Sequence, residues 1–419
     1  MSKTPTILLI GTADTKSAEI LFMRGCIEAG GGRVAVMDVG VLDGAPPSSG
    51  ITPEITNAEV AAAAGKTLAE VAASGDENTA MTLMAQGAAK LAARWQAEGR
   101  IDGLLALGGT MGTDLALDVA LALPLGVPKV VVSTIAYSHL LPPERIPPDL
   151  IMVLWAGGLY GLNSLCRSAL SQAAGAVLGA CRQACVPAFE RPLVGMTSLG
   201  SSALTYMKTL KPALEARGYE VAVFHTTGMG GRAFEALAAA GRFCAVMDFS
   251  LQELANQLGG SCVTAGPDRL LGAGRAGTPQ IVAPGAIDML DFPAWQATPA
   301  ALEGRPAHMH NRLLASALSS PGFRRGVAAE VGRRLARAEG PACVLLPLQG
   351  IEGWDRPGEP LHDPEGLDAF VDGLRHSLSP RTRLVELDAH INDAAFCEAA
   401  LAVFDDWVAK GLVVKGVQA

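Results

Sequence analysis

Along the chain, short apolar runs alternate with stretches of helical spacing. In the first half, mainly apolar runs lie at residues 7–10, 33–39, 101–107 and 129–133. Stretches with apolar residues at intervals of three and four follow, as at residues 17–29 and 79–98. A strand buried on both faces of a parallel sheet is a near-continuous apolar run. The pattern therefore predicts an α/β fold in which strands and helices alternate.

The second half repeats this order after a proline-containing stretch, residues 186–192. Its apolar runs lie at residues 193–197, 220–225, 243–247, 280–283 and 343–348. A chain of 419 residues also exceeds the usual size of one hydrophobic core. We predict two Rossmann-like domains, residues 1–188 and 189–419, with mostly parallel sheets flanked by helices and a ligand cleft between the domains. Residues 312–318 and 324–339 are predicted helices, the second of them basic and on the surface.

The first apolar run ends in a glycine turn that carries hydroxyl groups and a lysine. Gly11, Thr12, Asp14, Thr15 and Lys16 lie between this run and the helix predicted after it. Free N–H groups at a helix N-terminus favour an anion, and the hydroxyls and the ammonium group add donors. These five residues are candidate cofactor contacts, with a phosphate held by the N–H groups, the hydroxyls and the lysine, although neither P-loop nor G-x-G-x-x-G spacing is present. The alternative is a capped turn with a solvated lysine.

A second glycine turn follows the third apolar run. It contains Gly108, Gly109, Thr110, Gly112 and Thr113 and leads into another helical stretch. Glycines let the backbone approach a ligand closely, and the threonines add hydroxyl donors at the helix start. Because parallel strands end at one edge of a sheet, we expect the two turns to meet there. Alternatively, the glycines only make a tight turn and Thr113 or Asp114 caps the helix.

An acidic residue, Asp38, ends the second apolar run. In a Rossmann unit, a carboxylate at this position hydrogen-bonds a ribose hydroxyl. Asp38 is therefore a candidate ribose contact, with a solvated strand end as the equal alternative.

In the second half, several loops place charged or imidazole side chains at strand ends or helix starts. These candidates are His225, Arg232, Asp268, Arg269 and Asp288. Loops that follow neighbouring parallel strands converge on one crevice, and arginine binds carboxylate or phosphate through paired hydrogen bonds. We expect these residues to bind a small anionic molecule. The alternative explains each of them separately, as a helix cap or a surface ion pair.

Composition narrows the classes of partner. The formal net charge is -8 and the pI about 5.5, so no basic face for nucleic acid is expected. The sequence shows no apolar stretch long enough to span a membrane and no secretory signal pattern. Its eight cysteines form no C-x-x-C pair, which is typical of free thiols in a reducing compartment. We therefore expect a cytoplasmic protein without membrane or nucleic-acid partners.

Histidine spacing gives little sign of a metal site. His308 and His310 lie two residues apart, which would place both on one side of an extended segment. No third ligand is apparent beside them in the sequence, and zinc sites need at least three protein ligands. We predict no resident metal.

Several motifs together resemble the Tm-1-like ATP-binding domain proteins, also called uncharacterised protein family 0261. The resemblance spans nearly the full length and is carried by segments 11–16, 108–113, 133–136, 225–232, 265–270, 284–289, 346–348, 363–365 and 390–393. The chain departs from the family pattern at Met111, at Phe249 to Leu251 and at Arg312. These departures bear more on the second domain than on the glycine turns.

The resemblance implies ATP, with or without Mg²⁺, in the N-terminal domain, and a homodimer. Gly161, Ser164, Ser168, Ser171 and Gly175 lie three or four residues apart on a predicted helix, where a partner helix could pack closely. The leading hypothesis is a nucleotide-binding protein, and a further hypothesis is that it acts as an ATP-dependent enzyme on a small anionic metabolite in the cleft. The alternative is a non-enzymatic protein-interaction module, the role that the resemblance implies for the plant member. The sequence leaves enzymatic activity open.

Overall fold

The computed structural model describes residues 3–41, 50–185, 187–188, 190–199 and 205–417. The chain forms two compact units, Met1–Ala188 and Phe189–Ala419, termed here the N-terminal and C-terminal units. Each unit is built around a parallel sheet with helices on both faces. The predicted Rossmann-like α/β class is therefore confirmed. The sequence also predicts an irregular loop at residues 41–53 and a polar turn at 198–203, of which residues 42–49 and 200–203 lie outside the described residues.

The strands of the N-terminal unit pair in the order β2-β1-β3-β4-β5, all parallel. They are β1 Thr6–Gly11, β2 Arg33–Asp38, β3 Gly103–Gly108, β4 Lys129–Ser133 and β5 Leu150–Leu154. The helices are α1 Ser17–Ala29, α2 Asn57–Ala63, α3 Leu68–Ala72, α4 Glu77–Ala97, α5 Thr110–Ala122 and α6 Ser164–Gln183. Helices α1 and α6 pack on one face of the sheet, whereas α2, α4 and α5 pack on the other. Burial on both faces explains why β1, β3 and β4 are almost entirely apolar.

The parallel sheet of the C-terminal unit has the order β14-β13-β9-β8-β6-β7. Its strands are β6 Leu193–Ser198, β7 Glu220–His225, β8 Ala245–Ser250 and β9 Gln280–Gly285, and later β13 Ala342–Pro347 and β14 Arg383–Leu387. The helices are α7 Met207–Glu215, α8 Met229–Ala239, α9 Gln252–Leu258, α10 Gly272–Arg275, α11 Pro321–Leu335, α12 Pro364–Ser377 and α13 Ala394–Ala409. Helices α7 and α13 cover one face, and α9, α11 and α12 the other.

A small antiparallel sheet interrupts this alternation after β9. Its strands are β10 Met289–Pro293, β11 Ala307–Met309 and β12 Leu314–Leu318, paired in the order β10-β12-β11. The helix predicted at 312–318 is therefore wrong. A short apolar segment has no decisive period of its own, and pairing with β10 makes it a strand.

Helix α11 is also less exposed than its arginine content predicted. The Arg324 side chain is buried against Asp363, at 2.8 Å, and Arg334 is buried against Glu330, at 2.6 Å. Arg334 also donates to the carbonyl oxygen of Pro267 at 2.9 Å. These two arginines satisfy interior acceptors, so the predicted surface position of the helix is wrong for its inner face.

A buried ion cluster holds the centre of the C-terminal unit together. The fully buried Arg269 guanidinium lies 2.6 Å from Asp248, 3.1 Å from Glu235 and 3.0 Å from Glu253. Glu253 also accepts from the backbone N–H groups of Gly228 and Gly231, at 2.6 and 3.1 Å. One arginine therefore joins β8, α8 and α9.

Loss of this arginine should strongly destabilise the C-terminal unit. Burial raises the pKa of Glu253 to about 7, and the attraction of Arg269 opposes that rise. In Arg269→Met the carboxylates would remain buried without a cation, which typically costs about 3–5 kcal/mol. Calorimetric unfolding should show the C-terminal transition at a markedly lower temperature.

The loss of stability caused by Arg269→Met should depend on pH. Without Arg269 the folded-state pKa of Glu253 rises further above its unfolded value, so the folded variant binds more protons. The stability deficit of Arg269→Met should therefore be larger at pH 8 than at pH 5. Arg275→Met is the control, because Arg275 forms an exposed pair with Asp268 at 2.8 Å. An equal effect of the two substitutions would contradict the structural role of Arg269.

Candidate functional site

The two glycine turns of the N-terminal unit lie together at the carboxyl edge of the sheet. Strands β1 and β3 are neighbours, and the helices that follow them, α1 and α5, pack on opposite faces. Where successive connections diverge in this way, an open parallel sheet has a crevice, and ligands bind there. We call this place the β1–β3 crevice.

The β1–β3 crevice contains a cavity of about 440 Å³. This volume lies within the usual range of small-molecule sites, about 300–1,000 Å³. Its lining includes seven of the predicted cofactor ligands: Gly11, Thr12, Lys16, Gly108, Gly109, Thr110 and Gly112. Apolar side chains from the two strands and from α5 form the rest, among them Ile10, Leu107 and Leu115. The structure thus brings both glycine turns to one cavity, as the sequence predicted.

The first turn holds Lys16 at the edge of this cavity. Lys16 is the N-cap residue of α1, and no side chain caps that helix. Its Nζ atom donates to the carbonyl oxygen of Leu159 at 2.6 Å and lies 5.0 Å from the Tyr160 ring centroid. An ammonium group has three donors, so this contact leaves others for a ligand. The Thr12 and Thr15 hydroxyls lie 2.7 Å apart.

Asp38 has a different role from the predicted ribose contact. It is 1% exposed, and its Oδ1 atom accepts from the backbone N–H groups of Ala13 and Gly40, at 3.0 and 2.9 Å. Burial raises the pKa of its carboxyl group, while these two hydrogen bonds lower it. Asp38 therefore fixes the turn after β1 from inside.

Thr113 is likewise turned into the protein. It is fully buried, with its hydroxyl 2.8 Å from that of Ser133 and 3.4 Å from the Gly108 carbonyl oxygen. These contacts join the start of α5 to β4. Thr113 supports the second turn and does not face the cavity, which corrects its assignment as a phosphate ligand.

Gly108 and Gly109 of the second turn differ in the space that their surroundings leave for a side chain. A Cβ atom on Gly108 would lie 2.5 Å from the Cα atom of Gly112, in the first turn of α5. On Gly109, the N-cap residue of α5, a Cβ atom would have no neighbour closer than 3.8 Å. Gly108 thus allows close packing of the helix on its strand, whereas Gly109 leaves space at the helix start.

Substitution of these two glycines should affect the stability of the protein to different extents. Gly108→Ala should lower the unfolding temperature by several degrees, because backbone atoms must move apart. Gly109→Ala should leave that temperature nearly unchanged. Calorimetry on both variants measures the difference, and equal destabilisation by the two would contradict the packing described for Gly108.

The five candidates of the C-terminal unit do not converge on one crevice. His225 is exposed at the end of β7, and Asp268 forms the exposed pair with Arg275. Arg269 lies in the buried ion cluster, and an Arg232 Nη1 atom donates to the Ala265 carbonyl oxygen at 3.3 Å. Arg269 is therefore not available to bind an anion, because its guanidinium N–H groups already donate to protein carboxylates.

Asp288 lies in a separate buried group of carboxyl side chains. It lines a cavity of about 100 Å³ with Arg324, Asp355 and Asp363. Burial raises the pKa of Asp288 to about 6 and, with Asp288 nearby, that of Glu352 to about 9. Glu352 therefore holds its proton at neutral pH.

Sequence patterns missed most residues that line the other polar cavity of this unit. That cavity, of about 260 Å³, is lined by His225 together with Gln252, Asp291, His310 and Trp354. Only His225 among them was predicted as a site residue, and His310 was considered only as a metal ligand. The available signal was a polar residue, Asp291, inside an apolar segment.

The described residues contain neither a group of side chains arranged to hold a metal ion nor a helix suited to cross a membrane. No three or more histidine, cysteine, aspartate or glutamate side chains among them are arranged to hold a metal ion. In the same part of the chain, no helix combines the length and apolar character needed to cross a bilayer.

The family is decided by matches over both units. Residues 5–185 match the model of the uncharacterised protein family (UPF0261) N-terminal domain, and residues 191–408 match that of its C-terminal domain. The chain belongs to the UPF0261 family. A UPF0261 protein of Brucella melitensis is 57% identical over 415 residues, covering 99% of this chain and 98% of the relative. One from Clostridium tetani is 33% identical over 395 residues, covering 94% and 96%.

The predicted Tm-1-like relationship is also confirmed. The ToMV susceptible protein tm-1(GCR26) of Solanum lycopersicum is 27% identical over 422 residues, which cover 96% of this UPF0261 chain and 56% of the tomato protein. Among solved structures, a putative UDP-N-acetylglucosamine 2-epimerase from Listeria monocytogenes aligns over 100% of both chains, at 11% identity and a TM-score of 0.23. A TM-score this low supports no inference about function.

Proposed function

We propose that the N-terminal unit binds ATP in the β1–β3 crevice, with the phosphates at the two glycine turns. The observation that carries the proposal is the 440 Å³ cavity into which both turns open. It lies between neighbouring strands whose connecting helices diverge to opposite faces of the sheet, which is the usual nucleotide position in such sheets.

The electrostatics of the cavity favour an anion. Among the described residues that line it, Lys16 carries a positive charge and none carries a carboxylate. Helix α5 starts at Thr110 without a side-chain cap, so the first N–H groups of a 13-residue helix remain for a ligand. A phosphate group would supply acceptors for those N–H groups and a counter-charge for Lys16.

The apolar part of the cavity suits a nucleobase. Ile10, Val39, Ala106 and Leu107 come from the strand ends, and Leu115 from α5. An adenine ring buried against such side chains gains hydrophobic stabilisation, while its triphosphate reaches the glycine turns. One cavity thus offers both environments that a nucleotide needs.

Among the described residues that line the cavity none carries a carboxylate, so Mg²⁺ bound with the nucleotide would need Asp14 of the first turn, from outside that lining. Magnesium bound to phosphates needs only one or two protein carboxylates. Asp14 lies in the first turn, is half-buried, and accepts one hydrogen bond, from the Thr15 N–H at 2.8 Å. The carboxylate of Asp38 is already bound by two backbone groups, which leaves Asp14 for this role.

Calorimetric titration with ATP, ADP, AMP and adenosine tests the proposal. Affinity should fall as phosphates are removed. Lys16→Ala should weaken ATP binding about 10- to 100-fold, since a hydrogen bond to a charged group contributes about 1.5–3 kcal/mol. Gly109→Val should weaken binding without loss of stability, and Lys16→Ala combined with Gly112→Val should abolish it.

Lys66→Ala is the matched control, because Lys66 is exposed and pairs only with Glu70 in the same helical region, at 3.8 Å. No heat with any adenine nucleotide for the wild type would end the proposal. Equal losses in Lys66→Ala and Lys16→Ala would show that binding depends on overall charge instead of this cavity.

A protein-interaction role is the second candidate, and exposed apolar side chains favour it. Tyr160 is 94% exposed and Leu165 is 71% exposed, at the start of α6. The adjoining outward face of α6 carries Ser168, Ser171 and Gly175, all exposed. A small-residue face beside apolar side chains suits close helix packing, so the proposed homodimer would form here.

Sedimentation equilibrium on the wild type and on Leu165→Glu tests this surface. The wild type should sediment as a dimer and the variant should dissociate at least about tenfold more readily, because a buried charge would replace apolar contact. A monomeric wild type would contradict the homodimer. A stoichiometric partner recovered without nucleotide would favour the interaction role over the nucleotide role.

A further inference from the structure

The C-terminal unit has a crevice of its own at the equivalent sheet position. Strands β6 and β8 are neighbours, and the helices after them, α7 and α9, pack on opposite faces. The 260 Å³ cavity lies there, between the strand ends and the antiparallel sheet, which contributes Asp291 from β10 and, just after β11, His310. The small sheet thus covers the position where a ligand is expected in an α/β fold.

Buried polar side chains next to this cavity form a network of hydrogen bonds. Asp291 is 2% exposed and accepts from the Asn256 amide at 2.9 Å and from the Ser316 hydroxyl. The backbone N–H of Asp291 donates to Asn256 Oδ1 at 2.8 Å, which fixes the orientation of that amide. Burial raises the pKa of Asp291 to about 6, against the hydrogen bonds from Ser316, Asn256 and Gln252, which lower it.

The network selects one tautomer of His310. The Ser316 hydroxyl has a single hydrogen, and Asp291 accepts it. His310 Nε2, which lies 2.8 Å from the Ser316 oxygen, must therefore donate its own hydrogen. The pKa of His310 is lowered by burial and by the nearby His308, so the ring is neutral at pH 7. Its Nδ1 atom then carries a lone pair and has no hydrogen-bond partner among the described residues.

Gln252 supplies a second acceptor without a partner. The residue is 3% exposed and lines the cavity, and its amide also hydrogen-bonds Asp291. That bond uses the amide nitrogen, because an ionised carboxylate only accepts. The buried Oε1 atom is left with no hydrogen-bond partner in the described part of the chain. A buried acceptor without a donor costs about 1–3 kcal/mol, a cost that a bound donor would remove.

The other walls of the cavity are formed by an aromatic ring and by apolar side chains. Trp354 lines it and stacks on His308 at a centroid distance of 4.3 Å, while Leu199, Met289 and Leu314 complete the apolar part. Among the described lining residues none is lysine or arginine. The cavity therefore offers acceptors and an aromatic wall, but no fixed positive charge.

From this arrangement we propose that the C-terminal unit binds a small uncharged, hydroxyl-bearing molecule, such as a monosaccharide or cyclic polyol. Its hydroxyl groups donate to Gln252 Oε1 and His310 Nδ1, and its apolar face lies against Trp354. Because His310 Nδ1 accepts one of these hydroxyl hydrogens, it is placed as a base toward the ligand. Ser316 and Asp291 are positioning residues that hold His310 in the required tautomer.

Saturation-transfer NMR on the full chain tests the ligand class. The neutral probes are D-glucose, D-ribose and myo-inositol, and the anionic probes are citrate and inorganic phosphate. At least one neutral probe should receive saturation, and Gln252→Leu should weaken it about three- to tenfold, the value of one neutral hydrogen bond. Gln86→Leu, on the exposed face of α4, is the control. Thr227→Trp, exposed beside the cavity, should block binding without disturbing the core.

Nitrogen-shift NMR of the imidazole rings tests the positioning role. The wild type should show neutral His310 as the Nε2–H tautomer, assigned by its loss in His310→Gln. Ser316→Ala should give a tautomer mixture, an effect that simple packing would not produce, and should also lower the unfolding temperature because Asp291 loses a buried donor.

Four results would overturn the proposal. They are no saturation of any neutral probe by the folded wild type, unchanged saturation in Thr227→Trp, displacement by citrate or phosphate with higher affinity at this cavity, and an Nδ1–H tautomer in the wild type. If Gln252→Leu does not fold, Thr227→Trp decides the location alone.

Discussion

A parallel sheet covered by helices on both faces leaves little room for polar chemistry, and this constraint organises both units. The strands pair their own backbone groups, and apolar side chains fill both faces. Most polar side chains then lie at strand ends, with Asp248 inside β8 as an exception that Arg269 neutralises, and space opens where two connections leave in opposite directions. In each unit that position holds a cavity, between β1 and β3 and between β6 and β8.

The two cavities differ in the sign of the charge that they favour. Around the β1–β3 crevice, backbone N–H groups of α5 and the Lys16 ammonium group point to an anion. Around the second cavity, side-chain acceptors dominate, because Arg269 and Arg334 are used inside the protein to satisfy buried carboxylates and carbonyls. The same fold thus presents donors at one site and acceptors at the other. This contrast is the physical basis for expecting two chemically different ligands.

Buried side chains also explain why some polar residues near a site have no contact with it. Asp38 binds two backbone N–H groups, and Thr113 joins α5 to β4. Both hold a loop in place from inside. A residue at a strand end is therefore a ligand contact only if its hydrogen-bonding groups are not already taken by the backbone, which depends on local packing.

The sequence by itself determined the α/β class, most strands and the two glycine turns. Apolar runs and glycine spacing are local signals, and Gly108 must be glycine because a Cβ atom there would lie 2.5 Å from the Cα atom of Gly112 in the next helix. Tertiary structure decided the rest. Segment 314–318 becomes a strand only by pairing with β10, and Arg269 is internal because three carboxylates from distant segments surround it. Asp291, Ser316 and His310 form a network only because two antiparallel strands and a turn bring them together. Such contacts depend on pairing between remote segments, which a one-dimensional pattern does not encode.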